Sequence, residues 1–441
     1  MENEKAKIST DPYKGVRDFY PEEMFIQNFI FDTMRHTVEQ FGFVEYGASI
    51  LEPAELYKKA KSGSEIVNEQ TYTFKDRGDR DVTLRPEMTP TVTRMVAARK
   101  KELAFPLRWY SIPNLFRYEK PQRGRLREHF QLNVDMFGVD NINADVEIIS
   151  VAAALMKNFS ATSDQYKIKV NSRKILNYLL DEVFALSETD HYSVMKLIDK
   201  KDKITPKEFH DGLSEILKDK TDNLIALLNT TTIEEFTKVA AEKTSSEVLG
   251  VKETAELLSK LNSLGIKNAV FTPTLARGFD YYTGTIFEVF DTSPENPRAL
   301  FGGGRFDDLL SVFGSEKVPA VGFGMGDVTI KDFLETYNLL PAYKPQTELY
   351  ICMLSNDVSI FSFELAKNLR AKNHAVIVDI TDRKLGDQIK AAHKQHVPFV
   401  LVIGENEIAL KKFVVKELET GTETTLNSEA EIETFLADHK K

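Results

Sequence analysis

Between Arg117 and His129 the chain reads Arg-Tyr-Glu-Lys-Pro-Gln-Arg-Gly-Arg-Leu-Arg-Glu-His. Five basic residues (Arg117, Lys120, Arg123, Arg125, Arg127) face two acids (Glu119, Glu128), a local +3 in a chain whose net charge is −10. Arginine presents a planar fork of donors that fits phosphate oxygens, so this stretch could hold a nucleotide or a nucleic-acid end. The plainer alternative is a solvated hairpin tip whose charges serve only solubility. A second cluster, Leu275 to Gly284, sets Arg277, Asp280, Tyr281 and Tyr282 among glycines. Glycine lets backbone approach a ligand closely, and tyrosine offers a flat wall with a hydroxyl at its end. Taken alone it could equally be an aromatic strand and turn in a core, with Arg277 and Asp280 pairing with each other.

A third cluster, Thr83-Leu84-Arg85-Pro86-Glu87-Met88-Thr89-Pro90, lies where a strand should give way to a helix. Thr89 could be a plain helix cap ahead of Pro90, and Glu87 could anchor an ammonium group. The fourth comprises Gly302-Gly303-Gly304-Arg305 and Val321-Gly322-Phe323-Gly324-Met325-Gly326-Asp327. Its Gly-x-Gly-x-Gly lacks the spacing of a dinucleotide fingerprint and the Lys-Ser or Lys-Thr of a phosphate loop. The eight histidines show no metal-ligand spacing, so no structural zinc is read. A lone Cys352 allows neither an internal disulfide nor a cysteine zinc site.

The elements that must position these groups show in the periodicity. Met24, Phe25, Phe29, Ile30, Met34 and Val38 predict a helix over 18–42. Tyr72 and Phe74, then Val82 and Leu84, predict strands around Gly78. Residues 90–101 read as a helix, and 107–118 and 130–139 as strands joined by the charged hairpin with Gly124 at its tip. Residues 172–265, rich in Lys, Glu, Asp, Leu and Thr, read as a helical insertion. After a linker at 338–346, strands alternate with helices over 347–441, which suggests a small α/β domain with a mostly parallel sheet. Thus 1–171 and 266–337 form one domain around the insertion. At 441 residues, two to four domains are expected. The acidic balance excludes a wholesale basic nucleic-acid coat but not local basic patches. The polar start and the lack of any run of about 18 apolar residues predict a cytoplasmic protein with no membrane partner.

In their joint order these clusters resemble a class II aminoacyl-tRNA synthetase, and within that class the histidyl-tRNA synthetase family. The pair of segments 116–135 is similar to the second class motif, residues 322–330 to the third, and Arg277 to Tyr282 to the segment that marks the histidine family. The resemblance runs from about residue 12 to about 420 and is weak only across the helical insertion. It implies an α/β fold: an antiparallel six-stranded sheet flanked by helices, a helical insertion, and a C-terminal α/β anticodon-binding domain. Between Lys367 and His396 that last domain has seven Lys or Arg against three Asp or Glu, net +4, a patch suited to tRNA phosphates.

The resemblance further implies a histidine–tRNA ligase. Histidine is activated by ATP, with Mg²⁺ sharing the phosphate charge, and passed to the 3′ end of tRNA(His) by a homodimer built through residues 41–56. Arg117 and Arg277 would flank the α-phosphate, with Glu119 near the adenine. Glu87, Thr89 and Gln131 would bind the α-amino group, and Asp135 with Tyr282, beside Tyr281, the imidazole. Residues 122–127 would meet the tRNA acceptor end. The chain departs from the family pattern in three places. Ser49 replaces the usual first-motif proline. His129, not Phe130, aligns with the adenine-stacking aromatic. Val328-Thr329 stands where the third motif ends in Glu-Arg, so the γ-phosphate arginine is absent, and Arg125 is a candidate substitute. Two other readings are a non-catalytic paralogue that regulates histidine biosynthesis, and a synthetase for threonine, proline or glycine with the same C-terminal domain.

Overall fold

Alternation along one strand, Glu128–Phe137, explains why the protein has a core on one side of its main sheet and polar groups on the other. Leu132, Val134 and Met136 enter an apolar core, while Gln131, Asn133 and Asp135 point to the opposite face. The computed structural model describes residues 8–60, 69–201, 204–243, 248–276, 281–296 and 298–439. In space the main strands run Val44–Glu45, Leu107–Ser111, Glu128–Phe137, Ala320–Gly326, Ala299–Arg305, Thr285–Asp291, Tyr166–Ser172, Ala269–Phe271. The inner six are antiparallel throughout. The two outer strands run parallel to their neighbours. The expected strand 107–118 is broken in two, Leu107–Ser111 and Asn114–Phe116, around Pro113, which has no N–H to give a ladder.

Helices cover the apolar face. Pro21–Gln40 starts on a proline, carries Glu22 and Glu23 at its positive end, and buries Ile30, Met34 and Val38 completely. Asn143–Asn158 buries Ile148, Ile149, Ala152, Leu155 and Met156 in the same cluster. The helices Glu188–Lys200, Pro206–Leu217, Thr221–Leu228 and Ile233–Lys243 pack about a separate core that includes Val194, Phe209, Leu213, Leu224 and Phe236. Pro206–Leu217 begins with a Thr205–Glu208 capping box.

The glycines of the Gly-x-Gly-x-Gly segment make room rather than bind a phosphate by themselves. A Cβ on Gly322 would strike Asp135 Oδ1, and one on Gly324 would strike Gln131 Nε2. The neighbouring strand's polar side chains therefore lie flat across this one.

The next residue, Asp327, opens the helix Asp327–Thr336, where a carboxylate suits the positive helix end. Only 1% exposed, it accepts hydrogen bonds from Arg17 Nη2 (2.7 Å), Gln27 Nε2 (2.9 Å) and the backbone N–H of Phe130 (2.9 Å). It ties the N-terminal segment, the first helix and the Glu128–Phe137 strand together. Asp327→Ala leaves a half-buried cation without its counter-charge and two further donors unpaired, and should lower unfolding free energy by about 2 kcal/mol. Chemical denaturation checks this, and a change below about 0.5 kcal/mol would show the cluster to be energetically neutral.

The chain divides into two compact units at Pro341/Ala342. In the second, strands Val376–Val378, Leu349–Met353 and Phe399–Ile403 are parallel. Phe413–Glu417 and Glu423–Leu426 extend that sheet as an antiparallel hairpin. The expected mostly parallel sheet is thus a mixed one. A hairpin with a short turn needs no crossover helix, so its two strands can join the sheet antiparallel.

Candidate active site

Six of the residues singled out in the sequence converge on one pocket over the polar face of the main sheet. Glu87, Thr89, Arg117, Gln131, Tyr281 and Tyr282 line it, together with Gly302, Gly322 and Gly324, enclosing about 120 Å³. Glu87 and Thr89 come from the turn between strand Asp81–Leu84 and helix Thr89–Arg99. Arg85, 6% exposed, braces that turn by donating to the carbonyls of Asn114 (3.0 Å), Ala48 (2.8 Å) and Ser49 (3.2 Å). Thr89 is not a cap. It is the first helical residue, Met88 occupies the cap position, and no side chain caps the end.

The pocket's charges hold one another in place. Tyr281 donates to Glu87 Oε2 at 3.0 Å. Burial, and next the Glu87 charge, push the Tyr281 hydroxyl well above its ordinary pKa, so it stays a donor. Arg117 Nε donates to the carbonyl of Pro86 at 2.9 Å, and Gln131 Nε2 to Asn133 Oδ1 at 2.7 Å. Asp135 lies behind the pocket wall against Gly322. Burial, then repulsion from Glu87, raises its carboxyl to about 8.

A wider, open cavity of about 860 Å³ adjoins this pocket and shares Arg117, Gln131 and Gly324 with it. Glu119, Arg125 and His129 line it from the hairpin side, and Glu119 and Arg125 approach to 3.4 Å. His129 faces the cavity, while Phe130 packs edge-on against Phe19 (6.4 Å) and Phe31 (5.2 Å) on the other side of the strand. Burial, aided by Arg117 and Arg17, drops the His129 imidazole to about 3, so it is neutral near pH 7. Val328 and Thr329 also line this cavity, and Thr329's hydroxyl is bound to the Leu300 carbonyl at 2.6 Å. Arg277, with Gly278, Phe279 and Asp280, lies outside the described residues. Its flanks do not: Ala276 lines the wide cavity and Tyr281 the pocket.

Sequence reasoning passed over Arg85, Asp327 and three further cavity residues, Lys169, Asp199 and Arg298. Lys169 had a signal, since alternation along Tyr166–Ser172 sets it on the face away from Ile168 and Val170. Among the described residues no cluster of three His, Cys, Asp or Glu could hold a metal.

An open cavity beside a small polar pocket, on an antiparallel sheet with parallel edge strands, fits the class II aminoacyl-tRNA synthetase architecture that the sequence resemblance implies. The crystal structure of histidyl-tRNA synthetase from Nostoc sp. PCC 7120 superposes with a TM-score of 0.82 at 23% identity, covering 98% of this chain and 100% of that one. A family model described as "Histidyl-tRNA synthetase" matches residues 15–328, and one described as "Anticodon binding domain" matches 348–438. The chain is 40% identical to the histidine–tRNA ligase of Leptospira biflexa over 428 residues, 96% of each chain. It is 35% identical to that of Haloarcula marismortui over 426 residues, 94% of this chain and 95% of that one. The chain belongs to the histidyl-tRNA synthetase family.

Proposed function

We propose that this protein activates histidine with ATP and transfers it to the 3′ end of tRNA(His), in the cytoplasm and as a homodimer. The observation that carries this is the meeting of Glu87, Thr89, Gln131 and Arg117 in one pocket, with Asp135 behind its wall and a nucleotide-sized cavity next to it. The substrate ammonium group lies against Glu87, Thr89 and Gln131. A carboxylate and neutral acceptors suit that cation, and Tyr281 fixes the carboxylate from behind. The imidazole meets Asp135 and Tyr282. Polar groups placed at both ring nitrogens reject side chains that would leave them unpaired.

In the first step the histidine carboxylate attacks the α-phosphorus of ATP. A new P–O bond forms, and the bond to pyrophosphate breaks. The attacking carboxylate is already ionised at neutral pH, so no protein base is needed. The requirement is charge stabilisation and in-line placement. Arg117 supplies the first from the pocket side, Arg277 from the other, with Glu119 at the adenine and Arg125 toward the outer phosphates. Mg²⁺ bound with the nucleotide would share its charge, and Glu288 in the cavity wall would offer an oxygen ligand. In the second step the terminal ribose hydroxyl of tRNA attacks the adenylate carbonyl and AMP leaves. Residues 122–127 guide the acceptor end.

We assign catalysis to 1–171 and 266–337, around the helical insertion 172–265. The linker 338–346 leads to an anticodon-binding domain, 347–441. Exposed Val44 (62%) and Leu51 (41%) support an interface over 41–56. Among the described residues no helix is long and apolar enough to cross a membrane.

Pyrophosphate exchange into ATP should require histidine and proceed with no other amino acid. Histidine binding without exchange would turn the reading toward a regulatory paralogue, and exchange with threonine, proline or glycine would replace the substrate.

A further inference from the structure

Behind the pocket wall, Asp135 Oδ2 is buried without a hydrogen-bond partner among the described residues, and the buried hydroxyls of Tyr46 and Ser111 engage only each other. They share one neighbourhood. Tyr46 follows the edge strand Val44–Glu45, and its N–H donates to the Tyr110 carbonyl at 2.9 Å. Its ring lies 5.7 Å from that of Trp109, and Trp109 sits directly opposite Asp135 in the ladder. Ser111, two residues beyond Trp109, is on the same face of its strand. The charge of Asp135 and the hydroxyl of Ser111 both act on the Tyr46 hydroxyl, whose ionisation is pushed far up, chiefly by burial.

A buried carboxyl oxygen without a partner destabilises a fold, and native structures hold few such atoms. Phenylalanine and alanine would fill the same space at positions 46 and 111 without burying two hydroxyls that meet only each other. A site that keeps both hydroxyls beside an unpartnered carboxyl is therefore arranged for something other than stability.

Resting on the histidine reading of this pocket, we propose that Tyr46 is a positioning residue for imidazole recognition. Its hydroxyl, together with that of Ser111, supplies the hydrogen bonds that fix Asp135 when the ring is bound. Neither hydroxyl touches substrate. They act through the carboxylate, holding Asp135 at the depth and rotation at which it meets a ring nitrogen.

The test is histidine-dependent pyrophosphate exchange by the full-length protein, with histidine and ATP varied separately. Tyr46→Phe should raise the histidine KM by about tenfold, the loss of one good hydrogen bond. The ATP KM and the melting temperature should hold or the latter rise. Ser111→Ala should act in the same direction. In an Asp135→Ala background, Tyr46→Phe should change the histidine KM by less than about twofold, because the group it acts through is gone. Unchanged histidine KM in Tyr46→Phe, with a wild type that exchanges normally, would overturn the positioning role alone. So would an undiminished effect of Tyr46→Phe in the Asp135→Ala background. A wild type with no histidine-dependent exchange would remove the histidine reading, and this role with it.

Discussion

Arg117→Ala should lower the rate of histidine-dependent pyrophosphate exchange by about 10²–10³-fold, the usual cost of deleting a preorganised donor at a developing charge. Among the described residues Arg117 is the charged side chain that lines both the small pocket and the wider cavity, which on the proposed reading is where amino acid and phosphate meet. Its Nε is held by the Pro86 carbonyl, which fixes the plane of the guanidinium and leaves the two terminal nitrogens for a ligand. Among the described residues it forms no ion pair, so its charge is not already compensated. A lysine cannot keep both the Nε contact and a two-pronged approach to phosphate, and Arg117→Lys should recover less than about a tenth of the lost rate. Histidine affinity should change far less than the rate, because the contact is made chiefly to the reacting phosphate. Single-turnover adenylate formation checks this. A rate within about threefold of wild type would place the phosphate elsewhere in the cavity.

Much of this arrangement was legible in the sequence because it rests on local patterns. The stripe Ile30, Met34, Val38 gave away the first helix, and Leu132, Val134 and Met136 gave away one face of the key strand. The order of charged and glycine-rich clusters pointed to Glu87, Thr89, Arg117, Gln131, Tyr281 and Tyr282 through a family resemblance, and these converge on one pocket. What stayed hidden depends on partners distant in the chain. Asp327 reads as an ordinary helix-opening acid, yet it binds residues at 17, 27 and 130. Tyr46 looks like one more aromatic just past a short edge strand until the ladder sets Trp109 opposite Asp135. Gly322 and Gly324 look like a weak nucleotide motif, and only strand pairing shows that they vacate space for Asp135 and Gln131. The absence of a third-motif arginine was visible, but its consequence lies in the cavity, where Arg125, Lys169 and Arg298 stand on the same wall system as Thr329.

Asp135→Asn should make the protein more stable and a poorer binder of histidine, an opposition that a merely structural residue would not show. The carboxyl is 3% exposed, and burial followed by Glu87 raises it from 3.8 to about 8. Below about pH 4 both folded and unfolded chains hold its proton, so ionisation costs nothing. As pH rises toward 8 the unfolded chain releases the proton while the folded one keeps it, so stability falls across that window. At full size the penalty is on the order of 5 kcal/mol, an upper limit that local relaxation and water entry reduce. Asparagine keeps the shape and carries no proton. The variant's unfolding free energy should therefore exceed the wild type's near pH 8 and lose this descending slope, with the two converging near pH 4. Function should move the other way. On the proposed reading the carboxyl ionises against a ring N–H when histidine binds, so replacing it with a neutral amide should raise the histidine KM by about 10–100-fold, the range of a charged hydrogen bond, and leave the ATP KM nearly unchanged. Equal losses toward both substrates, or a variant less stable than wild type near pH 8, would make Asp135 part of the scaffold and leave the imidazole to be recognised by other groups.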